Sequence, residues 1–234
     1  MRKVYCLFLG MVASLFVYAQ QKNDWANFQK YEEANKTAPV GAVVFMGNSI
    51  TEGWVNTHPD FFTKNNFICR GIGGQVTSQM LVRFRRDVID LKPKAVVILA
   101  GINDIAQNSG VISLANILGN IISMAELAKA NHFNVILCSV LPAAKFGWRT
   151  ELMPANDVIE LNRMIREYAN ANKIPYVDYH TAMKDENNGL PLKYAKDGIH
   201  PTPEGYDVME KLVLTVLSKA GRTKVKDRQY LFGK

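Results

Sequence analysis

Five short apolar runs alternate along the chain with stretches of helical periodicity, and this alternation most constrains the fold. The runs predict buried strands at about 41–46, 66–70, 95–100, 134–140 and 174–178. Between two of them, apolar residues recur three or four positions apart, as at Leu114, Ile117, Ile121 and Met124. Strands that alternate with helices form a parallel sheet with helices on both faces. The sequence therefore predicts an α/β domain.

The first nineteen residues predict a secretory signal peptide at 1–19. Two basic residues follow Met1, residues 4–18 are mostly apolar, and Val17-Tyr18-Ala19 is typical of a cleavage site. The apolar run is shorter than the roughly 20 residues of a membrane-spanning helix, which favours cleavage over an uncleaved anchor. Cys6 lies inside the apolar run, which argues against lipid attachment there. We expect an exported protein, periplasmic or secreted, without stable membrane insertion.

The rest of the chain predicts one domain at 20–220 and a basic C-terminal tail at 221–234. This length suits a single α/β domain, and no repeat, low-complexity tract or linker divides it. Of the net charge of +7, two charges lie in the first nineteen residues and four in the tail, so the body carries +1. Such a body lacks the concentrated basic face that binds phosphate backbones, and nucleic acid is not an expected partner.

The cysteines and histidines do not predict a metal site. Cys69 and Cys138 remain after cleavage, and two cysteines cannot form a structural zinc site alone. A disulfide between them stays open, because export permits one, although Cys138 lies in an apolar run typical of a small core residue. The histidines show no ligand spacing, and the glycines at 71–74 match neither nucleotide-binding pattern. We expect no metal and no cofactor.

Small and polar residues replace apolar ones where the predicted strands end. The segments are Gly47-Asn48-Ser49, Gly71-Ile72-Gly73-Gly74, Gly101-Ile102-Asn103-Asp104 and, after the fifth strand, Asp197-Gly198-Ile199-His200. Ligand sites in open parallel sheets form beyond the carboxyl ends of the strands. Glycines there permit tight turns and close backbone approach. The sequence therefore predicts a polar site at this edge of the sheet.

Ser49 has two possible roles in such a site. Serine is a preferred helix N-cap, but it can also be a nucleophile where a base and an oxyanion site activate it. Of the four histidines, only His200 follows an acid by three residues in a segment rich in turn formers. This spacing distinguishes His200 and Asp197 from the other histidines and acids, and Asp104 is the alternative carboxylate that could support a histidine.

The four segments, in this order, resemble the blocks of the SGNH (GDSL-type) hydrolases of ester bonds. Each block alone is common, but four in order at strand ends are a specific combination, and they span nearly the whole mature chain. The resemblance implies a flavodoxin-like three-layer sandwich with about five parallel strands. It makes Ser49 the nucleophile, His200 the general base and Asp197 the residue that orients it. It also implies an oxyanion hole formed by the backbone N–H groups of Ser49 and Gly74 and by the side-chain amide of Asn103.

Three positions refine the resemblance. Gly74 is preferred over Gly73 because the family's donor directly precedes a polar position, here Gln75. The family's usual Gly-Asp-Ser is Gly-Asn-Ser here, so Asn48 keeps the shape of the aspartate without its charge. This leaves the reaction class intact and the pH dependence open. Thr51 stands where Gly-x-Ser-x-Gly has its second glycine, which disfavours the α/β-hydrolase fold.

The resemblance implies a serine hydrolase of carboxylic esters, an acyl or acetyl esterase, with carbohydrate O-acetyl esters among the substrates that the family allows. A lysophospholipase- or thioesterase-like lipid acylhydrolase is the first alternative. A non-catalytic carbohydrate-binding module on the same fold is the second. Trp54 and Trp148 are predicted to line the substrate pocket, since aromatic rings suit a sugar face or an acyl chain. The short exported chain favours small acyl groups, and the oligomeric state stays open.

Overall fold

The computed structural model describes residues 24–222, so the predicted signal peptide and residues 223–234 of the predicted tail lie outside it. Within the described range one sheet is formed by β1 (Val43–Gly47), β2 (Phe67–Gly71), β3 (Ala95–Ile98), β4 (Asn134–Cys138) and β5 (Tyr176–Val177). The strands lie in the order β2-β1-β3-β4-β5, and every pairing is parallel. This is the flavodoxin-like order. The prediction of an α/β fold with about five parallel strands is confirmed.

Helices occupy the connections between the strands. They are α1 (Glu32–Lys36), α2 (Ser49–Thr57), α3 (Pro59–Asn65), α4 (Thr77–Asp87), α5 (Ile102–Ile105), α6 (Leu114–Ala130), α7 (Ala155–Ala171), α8 (Tyr179–Met183) and α9 (Pro203–Arg222). Helix α6 packs against α4 and α7, and α2 packs against α3 and β2. In the apolar stripe predicted from the spacing, Ile117, Ile121 and Met124 are buried and Leu114 is partly buried.

An aromatic cluster fills the core beside β1. The ring of Trp54 on α2 stacks on Phe61 and Tyr206, with centroids 5.2 and 5.7 Å apart, and meets Phe45 edge to face at 5.6 Å. Its indole N–H donates to Glu210 over 3.0 Å, and the residue is 1% exposed. The prediction that Trp54 lines the substrate pocket is therefore wrong, because α2 turns this side chain toward the sheet.

Two glycines let α2 begin directly on the ends of β1 and β2. A Cβ on Gly47 would lie 2.0 Å from the Thr51 hydroxyl, and one on Gly71 would lie 2.4 Å from the backbone nitrogen of Glu52. No side chain fits at such distances, so glycine is required at both positions. The close approach places the first residue of α2, Ser49, at the carboxyl edge of the sheet.

The two cysteines within the described residues are unpaired. Both Cys69 and Cys138 are buried and free. Burial raises the pKa of the Cys138 thiol to about 12, so this residue behaves as a small core side chain. The structure thus decides against the disulfide that the sequence left open.

Candidate active site

Asn48, rather than Ser49, caps helix α2. Its Oδ1 atom accepts a hydrogen bond from the N–H of Ile50 over 3.0 Å. The N-cap role considered for Ser49 is therefore wrong, because Ser49 is the first helical residue and its neighbour supplies the capping oxygen. The Ser49 hydroxyl instead lies 2.9 Å from Nε2 of His200, which is 151 positions away in the sequence.

The ring of His200 lies between Ser49 and Asp197. Its Nδ1 atom is 2.6 Å from Oδ2 of Asp197. The other carboxylate oxygen, Oδ1, accepts from the backbone N–H groups of Ile199 and His200 over 2.9 and 2.8 Å. Gly198 adopts a φ of +80°, which favours glycine and closes this short turn. The turn holds the carboxylate against the imidazole with few rotatable bonds between them.

The electrostatics of the pair favour an ionised Asp197. Partial burial raises its pKa, but the hydrogen bonds from the His200 ring and from the backbone of His200 and Ile199 outweigh this, and the pKa lies below its usual value. An ionised carboxylate favours the Nδ1–H tautomer of the ring, which turns the Nε2 lone pair toward Ser49. The side chains of His200 and Asp197 are 44% and 52% exposed, so the pair lies at an open surface.

The turn after β2 borders Ser49. A Cβ built on Gly73 would lie 3.8 Å from Cβ of Ser49. Gly74 has a φ of +75°, so the backbone conformation, rather than a lack of space, favours glycine there. Asn103 is 5% exposed and donates through Nδ2 to the carbonyl of Gln75 over 3.0 Å. A primary amide has a second N–H, which leaves Asn103 able to donate to another acceptor.

Asp104 does not contact the histidine. Its carboxylate accepts from the N–H and the hydroxyl of Thr77, over 2.9 and 2.6 Å, at the start of α4. Burial raises its pKa, and the hydrogen bonds from Thr77 act in the opposite direction. The reserve prediction that Asp104 supports His200 is wrong, because this carboxylate anchors α4 instead.

Arg83 supports the site, and the sequence analysis missed it. The side chain is fully buried on α4 and forms an ion pair of 2.8 Å with Asp87. It also donates to the carbonyls of Gly47 and Arg70, over 3.2 and 2.8 Å, and to Oε1 of Gln75 over 2.6 Å. It thereby joins the ends of β1 and β2 to the turn that follows β2. The signal in the sequence is the position of Arg83, on the helical face that also carries apolar core residues.

Glu52 is a second residue that the sequence analysis missed. It lies three residues after Ser49 on α2, and its Oε2 atom accepts from the N–H of Gly73 over 2.6 Å. Its other oxygen is ion-paired with Lys30. The sequence shows that Glu52 follows the serine by three positions, but it does not show that Gly73 and Lys30 are its partners.

Trp148 lies in the irregular segment between β4 and α7. It is 47% exposed and packs at a tilt against buried Phe146, with ring centroids 5.1 Å apart. The neighbouring Arg149 donates to the carbonyl of Gln107 over 3.5 Å, which connects this segment to the one after α5. The role of Trp148 in binding substrate stays a prediction.

Within residues 24–222, one group of side chains has the composition of a metal site. His58, Asp207 and Glu210 place their ligand atoms within 4.8 Å of one another. Nδ1 of His58 lies 2.7 Å from Glu210, which also accepts from Trp54. These contacts join the end of α2 to α9, at the opposite end of α2 from Ser49. Hydrogen bonding of His58 and Trp54 to Glu210 accounts for the closeness of these side chains.

Residues 45–208 match the GDSL-like Lipase/Acylhydrolase family. The chain belongs to this family. The match runs from β1 into α9 and includes Ser49, Gly74, Asn103, Asp197 and His200. The resemblance to SGNH (GDSL-type) hydrolases is thus confirmed, and the protein is an enzyme that hydrolyses esters.

Two solved structures of Bacteroides proteins resemble this GDSL-like acylhydrolase over most of its length. One is a proposed acylhydrolase from Bacteroides fragilis, 53% identical, with a TM-score of 0.83 over 85% of this chain and 99% of that one. The other is a GDSL-like lipase from Bacteroides thetaiotaomicron, also 53% identical, with a TM-score of 0.81 over 83% of this chain and 98% of that one.

A curated relative matches a smaller part of the chain. It is an uncharacterised lipoprotein of Bacillus subtilis, 30% identical over 117 residues, which are 43% of this chain and 48% of the relative. The acylhydrolase thus spans about half the length of that protein. Between residues 24 and 222, no helix combines the length and the apolar character needed to cross a membrane.

Proposed function

We propose that this acylhydrolase cleaves carboxylic esters by a serine mechanism, with Ser49 as nucleophile, His200 as general base and Asp197 as the orienting acid. The observation that carries the proposal is the continuous chain of contacts from Ser49 Oγ to His200 Nε2 and from His200 Nδ1 to Asp197, 2.9 and 2.6 Å long. Both contacts lie within the range that proton transfer and ring orientation require.

In the first half of the reaction, Ser49 Oγ attacks the ester carbonyl while His200 Nε2 takes the hydroxyl proton. The ionised Asp197 stabilises the imidazolium that forms. When the tetrahedral intermediate collapses, His200 gives the proton to the leaving alcohol, and the acyl group remains on Ser49. In the second half, His200 deprotonates a water that attacks the acyl-enzyme, and collapse of the second intermediate returns the proton to Ser49 and releases the acid.

The negative oxygen of each tetrahedral intermediate would be stabilised by the backbone N–H groups of Ser49 and Gly74 and by the side-chain amide of Asn103. The N–H of Ser49 belongs to the first turn of α2, where backbone donors lack intrahelical partners and the helix dipole favours negative charge. The hydrogen bond from Asn103 to Gln75 holds the amide in place before substrate binds. Donors placed in advance stabilise the transition state without reorganisation.

For the substrate, we propose small acyl groups on a polar alcohol, such as O-acetyl groups on carbohydrates. The exposure of His200 and Asp197 suits an ester whose alcohol is large and stays outside the protein. The half-exposed ring of Trp148 offers a face on which a sugar can stack. Rates with p-nitrophenyl acetate, butyrate and longer esters, and with an acetylated oligosaccharide against a lysophospholipid, test this choice. Faster hydrolysis of long-chain or lysophospholipid esters would favour the lipid alternative.

We also propose that the enzyme is exported, with a signal peptide at 1–19, a catalytic domain at 20–220 and a basic tail at 221–234. The basic and apolar character of residues 1–19 supports export, and the name of the Bacillus subtilis relative, a lipoprotein, agrees with it. Mass measurement of the protein recovered from the periplasm or medium should give an N-terminus at Gln20. An intact N-terminus would contradict cleavage.

The decisive test compares Ser49→Ala with the wild type on p-nitrophenyl acetate. We expect kcat to fall by roughly 10³-fold or more, since the nucleophile is lost. A fluorophosphonate should add its mass to the wild type and not to the variant. Ser123→Ala changes a helical serine that bonds only its own helix and should leave the rate unchanged. Equal rates for Ser49→Ala and the wild type would defeat the serine mechanism.

A further inference from the structure

Glu52 holds the turn that carries the proposed oxyanion donor. Its Oε2 atom accepts the N–H of Gly73 over 2.6 Å, and Gly73 directly precedes Gly74. A Cβ on Gly73 would lie 3.1 Å from this oxygen and 3.8 Å from Cβ of Ser49, so Gly73 lies in the narrow gap between the two side chains. The carboxylate of Glu52 is therefore attached to the turn next to the nucleophile.

The N-terminal segment of the described chain holds the other side of the same turn. Lys30 donates to Oε1 of Glu52, and the hydroxyl of Tyr31 donates to the carbonyl of Gly71. Nε2 of Gln75 donates to the carbonyl of Ala26 over 2.7 Å. The turn at 71–75 is thus held from both sides, by α2 through Glu52 and by the segment around residues 26–31.

The carboxylate of Glu52 can both assist and oppose catalysis. It anchors the Gly73 N–H, but its charge has the same sign as the oxyanion that develops beside Ser49. At distances of several ångströms and in partly solvated surroundings, one uncompensated charge changes a rate by roughly tenfold to a hundredfold. Lys30 supplies the opposite charge in direct contact, and the side chains of Lys30 and Glu52 are only 28% and 31% exposed.

We infer that Glu52 is a positioning residue that aims the Gly74 N–H at the oxyanion, and that Lys30 neutralises Glu52 so that anchoring does not oppose catalysis. The inference rests on the proposed serine mechanism. It assigns the two atoms of the Glu52 carboxylate separate partners: Oε2 orders the turn, and Oε1 binds the compensating cation.

Four variants separate anchoring from charge. Glu52→Gln keeps an oxygen that can accept from Gly73 and should retain kcat within about threefold, whereas Glu52→Ala should lower kcat roughly tenfold with a smaller change in KM. Lys30→Met leaves the carboxylate uncompensated and should lower kcat roughly tenfold to a hundredfold. The double variant Lys30→Met/Glu52→Gln removes both charges and should recover most of that loss.

The salt dependence of kcat distinguishes charge compensation by Lys30 from a purely structural role of the ion pair. The Debye length falls from about 10 Å at 0.1 M to about 3 Å at 1 M, so the kcat defect of Lys30→Met should shrink at high salt. Lys30→Arg keeps the charge and should retain the rate. Lys64→Met breaks an exposed pair with Asp60 on α3 and should leave kcat and its salt dependence unchanged. Circular dichroism and thermal unfolding check that each variant is folded.

The outcomes are distinguishable. If Lys30→Met and the double variant lose the same activity, or neither loses any, charge compensation is wrong. If Glu52→Ala retains full kcat, Glu52 does not position the turn. Ser49→Ala is measured beside them. If Ser49→Ala is inactive, either of these results overturns only the inference about Glu52 and Lys30. If Ser49→Ala is active, the serine mechanism and the inference are both wrong.

Discussion

The side-chain oxygen of Asn48 accepts the backbone N–H of Ile50 over 3.0 Å, and this bond frees the hydroxyl of Ser49 from capping α2. Asn48 is 1% exposed, so removing its side chain takes a buried acceptor away from the N–H of Ile50. Asparagine and aspartate cap helices about equally well. The neutral residue found here therefore supplies the same acceptor as the family's usual aspartate.

This geometry predicts an order of stability among variants at position 48. Asn48→Ala should lower the free energy of unfolding by about 1 kcal/mol, the usual value of a cap. Asn48→Asp retains an acceptor and should lose less. Urea unfolding measures both. Equal losses in the two variants would show that the bond to Ile50 does not stabilise α2.

Asn103→Ala should lower kcat on p-nitrophenyl acetate by roughly 10²- to 10³-fold, because one proposed oxyanion donor is lost. Asn131→Ala is the control, since Asn131 lies at the end of α6 and its side chain donates to the carbonyl of Leu127 over 2.7 Å. Its kcat should stay within a few-fold of the wild type. A loss of only a few-fold in Asn103→Ala would remove this residue from the oxyanion hole.

Arg83→Met should lower the free energy of unfolding by roughly 3–5 kcal/mol, because it leaves the buried carboxylate of Asp87 without its cation. Arg83→Met/Asp87→Leu removes both charges and should be more stable than the single variant. Arg163→Met breaks exposed pairs on α7 and should cost at most about 1 kcal/mol. Chemical denaturation of the three variants tests this, and a double variant no more stable than Arg83→Met would contradict it.

His180 should make the fold less stable in acid. Burial lowers its pKa, Lys184 and Arg166 act in the same direction, Asp178 opposes them, and Nε2 has no hydrogen-bond partner among the described residues. The unfolded chain binds this proton more readily than the folded protein does. The stabilisation of the folded protein by neutral His180 is therefore complete above the ordinary histidine pKa of about 6.5. It decreases as the pH falls below that value.

The measurement is the melting temperature of the wild type and of His180→Gln between about pH 7.5 and 5.5, a window that spans this pKa. Carboxylates titrate alike in both proteins, so the difference between the two curves isolates the histidine. The wild type should lose more stability on acidification than the variant. Parallel curves would show that His180 does not titrate differently in the folded protein.

The strand positions were predictable because their signals are local. The apolar runs define β1 to β4 to within about two residues at every end. Trp54 shows where local signals fail. An aromatic residue five positions after the serine is compatible with a pocket wall or with the core, and only the packing of α2 against Phe61 and Tyr206 decides between them.

Asp104 shows the same limit for a polar residue. It follows Asn103 directly, so the sequence made it a candidate for the same site. Successive residues at the start of a short helix point in different directions, and the carboxylate turns to Thr77 on α4 while Asn103 turns to Gln75. Adjacency in the chain therefore did not mean adjacency in the site.

The sequence by itself determined the α/β fold, the family and the residue types at the carboxyl edge of the sheet, because periodicity, glycine turns and ordered blocks are local properties. The tertiary structure alone decided that the cysteines stay apart and that Glu52 binds both Gly73 and Lys30. It also brought Ser49 within 2.9 Å of His200. These pairings depend on how elements distant in sequence pack together, and the burial and hydrogen bonds that result are not encoded in any local pattern.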